Sequence, residues 1–222
     1  TAQILTIEND EDYAINYIEK KLKNIRLFDI KILFDLGNIY KNFKDYETSI
    51  KYYNKVLELL DRKSFAYSET LYRRGSSYER LNNFAKSDED LINSLKIIPD
   101  DPFVMNYLAY SWLERNYKID LAMEMLIKAY NQEQDNPYII DSLGWAYFLT
   151  ENFVLSEKYL KQAVELKPYD PVISDHYGDV LWMLGRKLQA KYFWNKVLKM
   201  EYSDDLDLDE IKNKIILGIR KL

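Results

Sequence analysis

The chain has 222 residues and contains no cysteine, one histidine, six glycines and five prolines. Without cysteine there are no disulfides, thiol nucleophiles or thiolate metal sites, while the compartment stays open because a secreted protein can also lack them. With His176 as the one histidine and no Asp-x-Asp-x-Asp-Gly loop, no metal-ligand spacing exists, so no metal and no cofactor is expected. The glycines form no phosphate-binding loop, which argues against nucleotide binding. Basic charge is not in excess either. With net charge −5 and pI near 5.2, no overall field attracts a phosphate backbone, and a nucleic-acid partner is not expected. The chain begins at Thr1 without an initiator methionine or a basic-then-apolar leader, and reads as a mature protein or a fragment whose targeting segment was removed.

What is present is a folded, soluble composition. Hydrophobic residues make up 47% and charged residues 30%, which excludes wholesale disorder and a membrane-embedded chain. The 20 tyrosines, with abundant Lys, Asn and Ile, look like the codon drift of an A+T-rich genome, so most are assigned to packing. A repeat of about 34 residues runs through the chain. Leu36-Gly37 with Tyr40, Gly75 with Tyr78, Leu108-Ala109 with Trp112, Leu143-Gly144 with Tyr147, and Tyr177-Gly178 with Leu181 occupy equivalent places and mark five first helices. Each is followed by a second small residue (Ser49, Ser87, Ala122, Ser156, Ala190), a large apolar one (Tyr53, Leu91, Leu126, Leu160, Trp194) and a compact one (Val56, Ser94, Ala129, Ala163, Val197), all on one helical face. Small positions let paired helices approach closely.

Punctuation agrees with this phase. Asp101-Pro102, Asn136-Pro137 and Asp170-Pro171 each set an N-cap before a proline at the first helical position. Pro99 and Pro168 follow second helices, where a residue that cannot continue a helix belongs.

Over roughly residues 30 to 204 the sequence resembles the tetratricopeptide repeat family, with the Leu-Gly-x-x-Tyr core intact in two repeats. It departs from the family where the early tryptophan is replaced by Leu33, Leu71, Met105, Ile140 and Ser174, and in a turn, Arg115 to Leu121, one residue longer. The block from Asn106 through Trp194 (NYLAYSW, DSLGWAYF, DHYGDVLW) resembles bacterial envelope-associated or exported members. The resemblance implies an all-α fold, an α-α superhelix or solenoid of five hairpins that binds proteins. The compartment stays open between the bacterial cytoplasm and, if a leader has been removed, the periplasmic side of the cell envelope.

The hairpins fall at 30–63, 68–101, 102–136, 137–170 and 171–204, in one continuous solenoid domain loosened at Arg62 to Phe65. Residues 12–24, within an N-terminal segment 1–29, read as a helix that is half of a truncated repeat, with Ala14, Ile18 and Leu22 on its apolar side. In the C-terminal segment 205–222, the acidic stretch Asp204 to Asp209 is read as a solvated linker. Glu210 to Leu222 is read as a helix capping the last repeat through Ile211, Ile215 and Ile219.

Function in such an array is expected on the concave face, built by first-helix residues not used against the second helix. In the last three hairpins that set includes Asn106, Tyr107, Tyr110, Asp141, Trp145, Phe148, Asp175, His176, Asp179 and Trp182, which is aromatic and acidic. In the first two it includes Lys41, Arg73 and Arg80 and is more basic. Asn106, Asp141 and Asp175 recur at one place and form either a ladder of acceptors for an extended peptide or bonds that set repeat stacking. An aromatic anchor beside carboxylates suits a segment bearing a hydrophobic side chain next to Lys or Arg. Phe34 and Asp35 interrupt the Lys, Asn and Arg pattern by which family members clamp a carboxylate. Ser174, Asp175 and His176 imitate a nucleophile, an orienter and a base, but consecutive helical side chains point about 100° apart and cannot form a relay. No catalytic residue and no small-molecule substrate is expected. The reading is a scaffold or adaptor binding a peptide or protein segment, with a self-associating array (a homo-oligomer) or an accessory module of a larger enzyme or envelope assembly as alternatives.

Overall fold

The structure, a computed structural model, describes residues 29–201, 203 and 205–219, together with Tyr17 and Lys20. The predicted helix over 12–24 lies otherwise outside the described residues. Between residues 29 and 219 run eleven helices: α1 (Ile30–Asn42), α2 (Tyr46–Leu59), α3 (Phe65–Arg80), α4 (Phe84–Ile97), α5 (Pro102–Glu114), α6 (Ile119–Gln132), α7 (Pro137–Leu149), α8 (Phe153–Leu166), α9 (Pro171–Met183), α10 (Lys187–Val197) and α11 (Leu208–Leu217). No strand occurs among the described residues. None of their helices is long and apolar enough to cross a membrane.

Side-chain caps fix most helix starts. Asn136 accepts from the backbone N–H groups of Tyr138 and Ile139, and Asp170 from those of Val172 and Ile173, each with proline in the first turn. Asp101 does the same for Phe103 and Val104. Ser64 caps α3, so that helix starts at Phe65, three residues before the boundary expected at 68. Within four of the hairpins a single left-handed residue turns the chain: Lys44, Asn82, Glu151 and Gly185. The longer turn after α5 needs two, Asn116 and Lys118, and Lys118 offers α6 no side-chain cap.

Contacts group the chain into two compact units, residues 1–104 and 105–222. Each has its own hairpin seams. In the first unit the Tyr53 ring lies over Gly37, where an added Cβ would stand 2.5 Å from the ring, and Leu91 lies over Gly75. Ser68 and Ser94 meet at 2.9 Å, and Ser49 and Ser77 at 3.3 Å, so hydroxyls replace methyls where α3 meets its neighbours. Arg74 grips Asp90 with two bonds of 2.7 Å and reaches Asn54 with a third.

In the second unit the seam residues are Leu160 over Gly144 and Trp194 over Gly178. Both large side chains, with Leu126, Ala122, Ala129, Ala163 and Ala190, are fully buried. One apolar cluster gathers Ile140, Phe148, Leu160, Ile173, Val180, Leu181, Trp194 and Ile211, with Trp145, Trp182, Ile215 and Ile219 packed against it. The C-terminal helix begins at Leu208, because Asp207 accepts from the N–H groups of Asp209 and Glu210. Part of the stretch read as a solvated linker is therefore a helix cap. The helix closes at Leu217 with Gly218 at φ 75°, five residues short of the expected end.

Candidate functional site

In the second unit, α7 and α9 set their polar first-helix residues side by side. Asp141 and His176 meet with Nδ1 3.0 Å from each carboxylate oxygen, and both are buried. Burial alone would lower the imidazole's pKa. The Asp141 carboxylate outweighs it and raises it above the usual histidine range. The Trp145 indole stacks on the His176 ring at 4.1 Å and on Phe148 at 4.7 Å, while its Nε1–H donates to Glu114 at 2.8 Å.

Also on α9, Asp175, which directly precedes His176, and Asp179, about one turn further along, share a cation from α11. Lys214 Nζ donates to Asp175 Oδ2 at 2.8 Å and to Asp179 Oδ2 at 2.8 Å. The other Asp179 oxygen accepts the Trp194 Nε1–H at 2.9 Å. Burial and then the neighbouring Asp175 charge raise the Asp179 carboxyl to about 7. Burial works against the Lys214 charge, but Asp179 and Asp175 outweigh it and raise the ammonium pKa. Trp182 packs on Trp194 at 5.5 Å, and an added Cβ on Gly218 would fall 1.8 Å from the Trp182 ring, so glycine lets the end of α11 reach that indole.

In the first unit, Lys41 on α1 donates to Ser76 on α3 at 2.5 Å. Burial first, and then the Arg73 and Arg80 charges, bring its ammonium down to about 8. Arg73 holds Glu69 at 2.8 Å, and Arg80 lies 3.8 Å from Glu79. The face is basic but braced by two carboxylates. Elsewhere in this unit a cavity of about 510 Å³ opens beside Tyr67, Arg74, Tyr78, Lys86 and Asp90.

The family model for the tetratricopeptide repeat matches residues 30–59, 68–101 and 139–170. The chain is a tetratricopeptide-repeat protein. It is 32% identical over 109 residues to the TPR repeat-containing protein PA4667 of Pseudomonas aeruginosa, a match covering 49% of this chain and 18% of that protein. Among solved structures it resembles PilW, described as a widely conserved type IV pilus biogenesis factor, with TM-score 0.70, 21% identity, and 85% and 86% of the two chains covered. TTC0263 of Thermus thermophilus follows at TM-score 0.67, 18% identity and coverage of 86% and 98%. MamA of Desulfovibrio magneticus follows at TM-score 0.62, 18% identity and coverage of 80% and 97%. At these identities the likeness is one of fold.

Within this tetratricopeptide-repeat protein the candidate residues fall into three groups. Phe148 belongs to the core, buried and edge-on to Phe153, which corrects its assignment to the face. Asp141, His176, Asp175 and Asp179 are also buried, but as a polar cluster paired within the chain. Asn106, Tyr107, Tyr110, Trp145, Trp182 and Arg73 are half-buried and Arg80 is exposed, so solvent reaches part of each. Asn106 Oδ1 itself is buried without a hydrogen-bond partner, and so is Ser174 Oγ, which makes no bond to His176. The residue that sequence reasoning missed is Lys214. A lysine inside the stripe Ile211, Lys214, Ile215, Gly218, spaced three, four and seven, was the available signal. Among the described residues no group of three or more His, Cys, Asp or Glu could hold a metal ion.

Proposed function

We propose that this chain is a protein-interaction scaffold and not a catalyst, recognising protein segments on the first-helix faces of its hairpins. The observation that carries the reading is the division of labour within each hairpin. Tyr53, Leu91, Leu126, Leu160 and Trp194 fill the seams and are fully buried, while Arg73, Arg80, Tyr107, Tyr110, Trp145 and Trp182 stay partly open on first helices. Aromatic and guanidinium groups of that kind supply most binding energy in protein interfaces. The two units offer different chemistry. The first presents Lys41, Arg73 and Arg80 and suits acidic segments, and the second presents the partly open rings of Tyr107, Tyr110, Trp145 and Trp182 and suits segments with aliphatic or cationic side chains. Because the chain spans 18% of its curated relative's length, what a longer protein would do with these faces belongs to the same proposal.

The test is affinity capture from the source cell's lysate with three proteins of equal helicity by circular dichroism: the unaltered chain, Arg73→Glu with Arg80→Glu, and Trp145→Ala. Loss of a specific captured protein with either variant supports the face that was altered. Retention of the same protein by both variants sinks the reading and moves recognition to the second helices or the termini.

A further inference from the structure

The inward stripe of α11 is Ile211, Lys214, Ile215 and Gly218. Ile211 is buried in the apolar cluster of the second unit, Ile215 and Ile219 pack against it, Lys214 lies between Asp175 and Asp179, and Gly218 meets Trp182. It is a lysine flanked by isoleucines, seated on carboxylates and an indole. We propose that α11 is a ligand held in cis, and that the face of α9 and α10 it covers is a binding site for a partner's short amphipathic helix presenting a lysine between branched aliphatic side chains.

Three observations separate this from a permanent end cap. The outer side of α11 is not covered by the described residues, leaving Ile216 72% and Leu217 64% exposed. The helix has ten residues and one fully buried side chain, and helices that short are marginal unless packing holds them. Residues 198–207, which join it to α10, form no helix among those described and supply a tether. Against this, what α11 covers is chemically specific. The Asp175 and Asp179 side chains are 6% and 5% exposed and Lys214 is 11% exposed, so the three charges meet away from bulk water. Charge complementarity therefore names the incoming group: a lysine ammonium, which can donate to both carboxylates from one nitrogen as Lys214 does. A tethered helix acts at millimolar effective concentration, so a partner helix must outcompete it or bind when it is released.

The inference rests on the scaffold reading, but its test is independent of any lysate. The probe is a fluorescein-labelled peptide of residues 206–219, with a second peptide carrying Lys214→Met. The proteins are the full chain and the full chain with Ile211→Asp, which removes the buried anchor of α11 and leaves the site on α9 and α10 untouched. Fluorescence anisotropy is expected to show the unaltered peptide binding Ile211→Asp about 100-fold more tightly than the unaltered chain, as competition with a tethered ligand requires. The Lys214→Met peptide is expected to bind at least tenfold more weakly. Circular dichroism and an unchanged thermal transition of the seams establish that Ile211→Asp is folded. Full chain carrying Ile211→Asp together with Asp179→Asn gives a second reading and is expected to lose the peptide as well. Equal binding of both peptides, equal binding by both chains, or no binding to a folded Ile211→Asp chain overturns the proposal. If the unaltered chain forms a dimer in light scattering that Ile211→Asp abolishes, the occupant is a second copy's α11 and the partner reading is overturned. None of these results bears on whether Arg73, Arg80 or Trp145 captures a protein, so the two readings fail separately.

Discussion

Trp194 donates its indole N–H to Asp179 at 2.9 Å while its ring covers Gly178, so the residue that fills the last hairpin seam also binds the buried carboxylate beside it. Asp179 is thereby held in the core whether or not it is charged, next to Asp175 and Lys214. Its pKa is raised from 3.8 to about 7, and His176 is raised from 6.5. For a group whose folded pKa is raised, the stability contribution is complete below the unfolded value and is lost as pH rises through the folded one. Both groups act in the same direction. Stability should fall as pH rises from about 4 to beyond 7, so the urea midpoint should be higher at pH 6 than at pH 8. Asp179→Asn should flatten the profile across this window, and a slope unchanged in that variant would assign the dependence elsewhere.

Lys214→Met in the full chain leaves Asp175 and Asp179 buried without their shared cation. Removing one partner of a buried ionic cluster costs about 3–5 kcal/mol. The loss should be smaller at pH 5, where Asp179 is protonated, and hydrogen exchange should show α11 losing protection before any seam helix does.

Glycine substitutions should rank by what their new methyl meets. At Gly144 it would lie 2.7 Å from Leu160 Cγ and 3.1 Å from the Leu160 backbone nitrogen, which a rotamer change cannot relieve, so Gly144→Ala should cost about 1–3 kcal/mol. At Gly75 the nearest atom is Leu91 Cγ at 3.1 Å. There the roughly 1 kcal/mol gained in helix propensity offsets much of the crowding. Chemical denaturation of both variants checks the order, and an equal or larger loss at Gly75 would contradict it.

Arg74→Ala removes both bonds to Asp90 and the bond to Asn54. The carboxylate left in the α3–α4 hairpin should cost about 3 kcal/mol or more, whereas Arg74→Ala with Asp90→Ala should recover part of that loss. A double variant no more stable than the single one would show that the pair's worth lies in the packing of the arginine stem.

Most of the local architecture was legible in the sequence. Gly37, Gly75, Gly144 and Gly178 at their fixed distances from Tyr53, Leu91, Leu160 and Trp194 gave the seams, and Asn136-Pro137 and Asp170-Pro171 gave two helix starts to the residue, because capping and close approach act over one helix or one pair. The candidate face was legible only as a set of positions. That Phe148 turns into the core while Trp145 stacks between it and His176 depends on neighbouring hairpins, not on helical spacing.

Sequence by itself thus determined the repeat, its phase and the hairpin seams, since each depends on contacts within one turn or between adjacent helices. Tertiary structure alone decided the pairing of Asp141 with His176, 35 residues apart, and of Lys214 with Asp175, 39 residues apart. A buried charge is stable only when another element delivers its partner, and which element does so is set by how the chain closes on itself in space.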